Sequence, residues 1–187
     1  MSMIYPTSVS LSMIGGLFNG RSAHLLAFAY SFGLNTWQTF AGGILAYKAL
    51  PRINFRNLQN KIFPIYFLTN SIAAAVMLGS QVYRHPLKQS IFTLSSPESF
   101  QAVSLGLNLA FYVLNALWIG PLTTKVMFQR AKLEKEEGKS YSDDGISEEM
   151  KVLNSSFSKL HGVSSLLNLG ALIVTTVHGL WIANYGL

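Results

Sequence analysis

The chain has 187 residues, half of them hydrophobic and only 12% charged, with a mean hydropathy of +0.33. Soluble domains carry about 25% charged residues, so this composition argues against a freely dissolved domain and for a membrane protein. The net charge of +6 is unevenly spread: residues 1–97 contain no acid, whereas residues 131–151 hold seven acids and four bases.

The bases sit at the ends of oily runs. A bilayer accounts for them there, and a nucleic-acid partner is not called for. There is no cysteine, which excludes disulfides, thiolate metal sites and a cysteine nucleophile.

The first 20 residues lack a basic start, so they read poorly as a cleavable signal. Residues 25–47 then run for 23 positions without a charge. As a helix they reach roughly 34 Å, enough for a hydrocarbon core of about 30 Å. This run is expected to serve as an uncleaved membrane signal and first span. Residues 62–83 form a second run, with Pro64 expected in its first turn. Residues 99–119 form a third, opened by Ser96-Pro97-Glu98 and closed or kinked near Pro121. Residues 160–182 form the fourth. Four runs of this length favour spans over the buried helices of a soluble bundle.

Lysine and arginine counts set the orientation. Four spans place Arg21, Arg84 and Lys88 on one side and eleven bases on the other, in the loops after spans one and three. The basic loops are therefore expected in the cytosol, with both termini outside it. The same bases would favour anionic lipid at that face. The charged cytosolic loop, about residues 122–157, contains a glycine-interrupted stretch at 138–147 that reads as flexible. Ile146, Met150, Leu153, Phe157 and Leu160 follow at helical spacing, and Phe55, Leu58 and Ile62 form a similar stripe. Both are expected to be short amphipathic helices at the interface. The fold class is thus all-α: a polytopic four-transmembrane-helix bundle with short interfacial amphipathic helices, in one domain spanning 1–187.

Polar residues inside the runs fall on stripes. They are Ser31, Asn35, Gln38 and Gly42 on the first, Asn108 and Asn115 (with Phe111 between them) on the third, and His161, Ser164, Asn168, Ala171, Thr175 and His178 on the fourth. Small residues stripe the second run at Ser71, Ala75 and Gly79, and the third at Ala102, Gly106 and Ala110. An amide facing lipid costs several kcal/mol, so the polar stripes are expected to face one another and the small ones to let helices approach. Two readings stay open: glue between helices, or the lining of a path for a polar solute. His24 and His178 lie near the same end of their spans, but two histidines without a carboxylate or thiolate make a poor metal site. No catalytic or phosphate-binding motif occurs, so no enzyme, metal or cofactor is expected.

The stretches "FGLNTWQTFAGGILAYKALPR", "FRNLQNKIFPIYF", "GPLTTKVMFQRAKLEKEEG" and "FSKLHGVSSLLNLG" resemble the transmembrane protein 205 family of small four-span eukaryotic membrane proteins. The residues that carry the likeness include Trp37, Pro51, Arg52, Gln59, Lys61, Pro64, Pro121, Thr123, Thr124, Gly162 and Gly170. The resemblance implies a non-enzymatic protein of the endoplasmic reticulum, secretory pathway or plasma membrane, linked to platinum-drug resistance through export or vesicle traffic; a mitochondrial membrane is the alternative. The expected function is partner binding, scaffolding or membrane traffic, with a membrane-protein partner or a second copy as partner. The alternative is a small-solute or metal-drug exporter with an amide-lined interior.

Overall fold

The computed structural model describes residues 9–85 and 96–187. Lys88, counted in the charge balance, lies outside the described residues, as does most of the expected second loop. The described residues are helical, without a strand: α1 (Leu11–Gly16), α2 (Gly20–Trp37), α3 (Gly43–Ala49), α4 (Arg52–Arg84), α5 (Pro97–Leu114), α6 (Gly120–Glu137) and α7 (Glu148–Tyr185). Single π-helical turns, Gln38–Gly42 and Asn115–Ile119, join α2 to α3 and α5 to α6.

The sequence sets most helix starts. Asn19 Oδ1 accepts the amides of Arg21 and Ser22 at 2.9 and 3.1 Å ahead of α2. Ser96 Oγ accepts the Ser99 amide at 3.1 Å, with Pro97 in the first turn of α5 and Glu98 beside it. Ser147 Oγ accepts the Met150 amide at 3.1 Å, with Glu148 and Glu149 in the first turn of α7. Each cap satisfies an orphan donor, and the acids sit at the positive helix end. Gly138 ends α6 at φ 65°, a left-handed conformation that glycine adopts without strain.

Three continuous helical segments are long and apolar enough to cross a membrane: Arg52–Arg84, Pro97–Glu137 and Glu148–Tyr185. The first oily run is instead divided by its π-turn into 18- and seven-residue helices. The π-turns are closed by glycines, for the Gly43 amide reaches back to Gln38 O and the Gly120 amide to Asn115 O, each five residues earlier. The second π-turn lets the rod run on past Pro121, so this proline does not end the span.

Several expectations are corrected. The two amphipathic stripes are not separate interfacial helices. Phe55, Leu58 and Ile62 lie within α4, and Met150, Leu153, Phe157 and Leu160 lie within α7. Pro64 is not in a first turn, because α4 already starts behind Pro51; it sits mid-helix, costing one bond to Asn60.

α2 packs against α4 and α7, and α5 against the same two, giving a ring of four helices. Its core is Tyr66, Phe67, Ala74, Met77, Leu105, Tyr112 and Ala171. The small stripe of α4 does not face this core. Ala75 and Gly79 are exposed and Ser71 is half-buried, while Tyr66, Asn70, Ala73, Ala74, Met77 and Gln81 occupy the inward face. On α5, Ala102 is buried and Gly106 half-buried, but Ala110 is exposed, because Leu105, Asn108 and Tyr112 turn inward instead. The close approaches come from other glycines: a Cβ at Gly179 would lie 2.5 Å from the Phe28 ring, and one at Gly170 would lie 2.9 Å from Phe111. Outward positions carry aliphatics such as Leu26, Leu68, Ile72, Leu166, Ile173 and Leu180, as contact with lipid tails requires.

Gly179→Ala is expected to lower stability by about 1–3 kcal/mol through overpacking against Phe28. Gly106→Ala, with nothing within 4 Å of its added methyl, should be neutral or stabilising. Thermal unfolding in detergent checks both, and Phe28→Leu should relieve most of the Gly179→Ala loss.

Candidate functional site

The ring encloses a column of polar side chains in layers. At one end Ser80, His24, His178 and Gln101, one from each of α4, α2, α7 and α5, form a single chain. His24 Nδ1 meets Ser80 Oγ at 2.7 Å, the two histidine Nε2 atoms meet at 2.7 Å, and His178 Nδ1 meets Gln101 Oε1 at 2.6 Å. Gln101 Oε1 accepts from His178 Nδ1–H, which leaves His178 Nε2 to accept from His24 Nε2–H, while the single proton of Ser80 Oγ is shared between His24 Nδ1 and Met77 O, the latter at 3.0 Å. Both histidines are buried, and the edge of the Phe28 ring faces His178 with centroids 6.1 Å apart.

Deeper in, Ser31 donates to Asn70 Oδ1 at 2.7 Å, and Asn70 Nδ2 donates to Tyr66 O at 2.8 Å. Thr175 donates to Ala171 O of its own helix at 2.7 Å. The third layer is centred on Asn35. Its Nδ2 donates to Tyr112 Oη at 2.7 Å, and its Oδ1 accepts from Thr39 at 3.0 Å and from Asn168 Nδ2 at 3.3 Å. Tyr66 closes the layer by donating to Asn168 Oδ1 at 2.6 Å. Below this, Asn115 Nδ2 donates to Ser164 O at 3.2 Å.

The structure therefore brings Asn35, Asn168 and Thr39 together, and separately His24 with His178 and Asn115 with Ser164, whose carbonyl is used rather than its hydroxyl. Gln38 is half-buried at the start of its π-turn, and its Oε1 lies where a Cβ on Gly42 would come within 3.1 Å. Asn108 is fully buried, but neither of its polar atoms has a hydrogen-bond partner among the described residues. The interior placement of His161 is corrected. It is exposed, stacked on Phe157 with ring centroids 5.6 Å apart, because α7 at that level has passed beyond the ring.

A second cluster lies at the opposite, loop-side end. Arg130 is 8% exposed and sits 4.0 Å from the Tyr141 ring centroid and 4.6 Å from that of Phe157. Arg52 covers Tyr141 at 4.3 Å and meets Glu134 at 3.1 Å, while Arg56 meets the other Glu134 oxygen at 3.8 Å. Tyr141 is also held through its backbone, its amide donating to Glu134 and its carbonyl accepting from Asn154. Stretch 138–147, expected to be flexible, is thus tied down at Tyr141. Of the residues behind the family likeness, Gln59 is buried, Lys61, Trp37 and Gly162 are exposed, Thr123 donates to Ile119 O at 2.7 Å, and Thr124 is half-buried.

Tyr66, Tyr112, Asn70, Ser80 and Gln101 escaped the sequence reading. Tyrosines in oily runs count as hydrophobic, and single polar residues form no visible stripe. A signal was present in the heptads His24–Ser31–Gln38 and Gln101–Asn108–Asn115, each of which keeps one face inward.

No group of three or more histidine, aspartate or glutamate side chains that could hold a metal occurs among the described residues. A double-mutant cycle of Asn35→Leu with Tyr112→Phe should give a coupling of about 0.6–1.7 kcal/mol, read by unfolding in detergent or bicelles.

Residues 26–132 match the family model described as "Domain of unknown function (DUF4149)". The chain is similar to transmembrane protein 205 of Danio rerio, 28% identical over 172 residues, covering 86% of this chain and 89% of that protein. This bears out the resemblance read from the sequence. It is also similar to xanthocillin biosynthesis cluster protein D of Aspergillus fumigatus, 25% identical over 156 residues, covering 83% and 84% of the two chains. No solved structure matches.

Proposed function

The chain belongs to the DUF4149 family, and on that premise we propose a non-catalytic, multi-pass scaffold of the endomembrane system that binds a membrane-protein partner or a second copy through its loop-side end. In this reading α2, its π-turn and α3 together make a fourth crossing, both termini lie outside the cytosol, and the head faces the cytosol.

The carrying observation is the projection of three helices beyond their apolar spans. α6 adds 18 residues after the third span, about 27 Å at 1.5 Å per residue. α4 begins ten residues before residue 62, and α7 begins twelve before residue 160, adding about 15 and 18 Å. Helix α6 packs against α7 and α4 there, and the Arg52–Tyr141–Arg130 stack fixes the connecting loop. The result is a shaped surface rich in cations, suited to a partner and to anionic lipid. The interior supports the same reading, because its amides, tyrosines and histidines mostly bond one another across helices, as glue does.

The similarity to transmembrane protein 205 fits a membrane role, and the traffic or export linked to that family enters as the choice to be tested. Asn108 favours the second reading, a small-solute or metal-drug exporter, since it is a buried mid-column amide without a partner among the described residues.

Gentle native purification with mass spectrometry of co-purifying protein and lipid tests the scaffold. Replacing residues 142–146 with a Gly-Ser linker of equal length, which keeps Tyr141 and the Ser147 cap, is expected to remove a stoichiometric partner while leaving the melting midpoint within a few degrees. An unchanged set of companions would sink the proposal. Under the exporter reading, Asn108→Leu abolishes solute movement in vesicles without lowering stability; under the scaffold reading it stabilises the fold and moves nothing. A glycosylation acceptor added after Leu187 should be modified, and one placed at residues 142–144 should not.

A further inference from the structure

We propose that the seam between α2 and α4 holds one anionic phospholipid, with its phosphate on Arg21 and Arg84 and an acyl chain in the trough beyond them. Two hollows lie between these helices. The outer one, about 630 Å³, is lined by Arg21, Gly79, Ser80, Tyr83 and Arg84 among others. The inner one, about 340 Å³, is lined by Ala23, Ala27, Tyr30, Ile72, Ala73 and Val76 among others. On α2 the lining positions 20, 23, 27 and 30 recur at helical spacing, and on α4 positions 69, 72, 76, 79 and 83 do the same. Each helix therefore gives one face to both hollows, and the hollows follow one another along a single seam.

The outer hollow suits an anion by its charges. Arg21 and Arg84 both line it, and no ion pair among the described residues involves either of them. Arg84 Nε donates to Ser80 O at 3.2 Å and its Nη2 to Gln81 Oε1 at 3.3 Å, bonds to neutral groups that leave the charge uncompensated. Two like charges facing one hollow repel, and a phosphate between them turns that repulsion into attraction. The end of α2 is not itself the site, because Asn19 Oδ1 already takes the Arg21 and Ser22 amides. Ser80 Oγ is likewise committed, to His24 and to Met77 O. Tyr83 is 86% exposed, and a ring with a polar tip belongs at the headgroup level.

The inner hollow suits a tail. Small Ala23, Ala27 and Ala73 leave room beside Tyr30, Ile72 and Val76. Ala23, Tyr30, Ile72 and Val76 are exposed, so the trough opens outward and away from the polar column. Its length is that of one leaflet. Arg84 lies 15 residues from Thr69, about 22 Å along α4, and half a bilayer with its headgroups is about 20–22 Å thick. A free phosphate uses the outer hollow alone, whereas a phospholipid fills both. Two guanidinium groups also select for a negative lipid, because a zwitterionic headgroup brings a third cation to the site. The inference needs only that this seam faces lipid; neither the scaffold role nor the orientation proposed above enters it.

Photolabelling tests the site. The full chain is placed in phosphatidylcholine nanodiscs doped with phosphatidylglycerol that carries a diazirine on one acyl chain, and mass spectrometry locates the label. Label is expected to concentrate on residues 23–30 and 69–76. Unlabelled phosphatidylglycerol should compete, and glycerol 3-phosphate, which has the phosphate but no tail, should not. Arg21→Gln with Arg84→Gln should reduce labelling at least fivefold, and Arg21→Gln alone, at an exposed side chain, at least twofold. Ala23→Phe, which fills the trough and keeps both charges, should reduce it at least threefold. Lys132→Gln with Lys151→Gln removes the same charge from exposed lysines near the other end and should leave labelling unchanged. Label spread evenly over the outward faces, equal loss in the two paired variants, or no loss in Arg21→Gln or in Ala23→Phe would each overturn the proposal. Displacement by glycerol 3-phosphate would overturn it too, by revealing a site for free phosphate.

Discussion

A hydrogen-bonding group inside a bilayer has no water to turn to, so it must find its partner on another helix or on its own backbone. The bundle is arranged around that constraint. Ser80, His24, His178 and Gln101 tie four helices with three side-chain bonds at one level. Asn35, Tyr112, Asn168 and Tyr66 tie the same four at another. Apolar packing alone distinguishes weakly between helix registers in lipid, because an aliphatic side chain is about as well solvated by acyl chains as by a neighbouring helix. A rotation or a one-turn slip of α7 would orphan His178 and Asn168 together. The polar layers therefore specify the arrangement, each bond adding only modestly to its depth.

The π-turns follow from the same constraint. A regular helix changes face by about 100° per residue, so a long span cannot keep every polar residue inward without supercoiling or a local adjustment. The extra residue at Gln38–Gly42 and at Asn115–Ile119 resets the phase part-way along each rod. After the second one, the rod can continue past Pro121 and bring Arg130 against Tyr141 and Phe157. A local irregularity within the apolar rod thus helps place the residues of the loop-side end.

Much of the architecture was legible in the sequence. Charge depletion and run length pointed to membrane helices, and the cap at Ser96 was readable as such from residue type. The polar stripes of the first and fourth runs located the inward faces, because an uncharged amide in an oily run has few alternatives. The small-residue stripes misled. Ala75, Gly79 and Ala110 have the spacing of a packing seam, but neighbouring Tyr66, Met77 and Tyr112 offer more contact, the two tyrosines carry hydroxyls that need partners, and these three win the interior. Periodicity reports that a face exists, and competition between faces decides which one turns in. The π-turns were not legible because their signal, an amide five residues before a glycine, is short and common. The extent of α4 and α7 was missed because a hydropathy run ends where lipid ends, whereas a helix ends where its caps are.

The two polar clusters differ in a way that bears on where function resides. In the interior column most side chains are buried and most bond across helices, although Gln101 Nε2, Asn115 Oδ1 and both polar atoms of Asn108 have no partner among the described residues, and moving one member would leave several more unpaired. At the loop-side end Arg52 shares Glu134 with Arg56, both arginines keep some access to solvent, and the contacts of Arg52 are divided among a carboxylate, a tyrosine face and two hydroxyls. Contacts of that kind are individually weak and mutually replaceable, so an incoming anion, a partner's carboxylate or a lipid headgroup can exchange with them without unfolding anything. A largely self-bonded interior beneath a loop-side end whose charges have more than one arrangement is the division of labour that the proposed scaffold would need. The mid-column amide of Asn108, which shares neither character, is the position at which that division would first be found wanting.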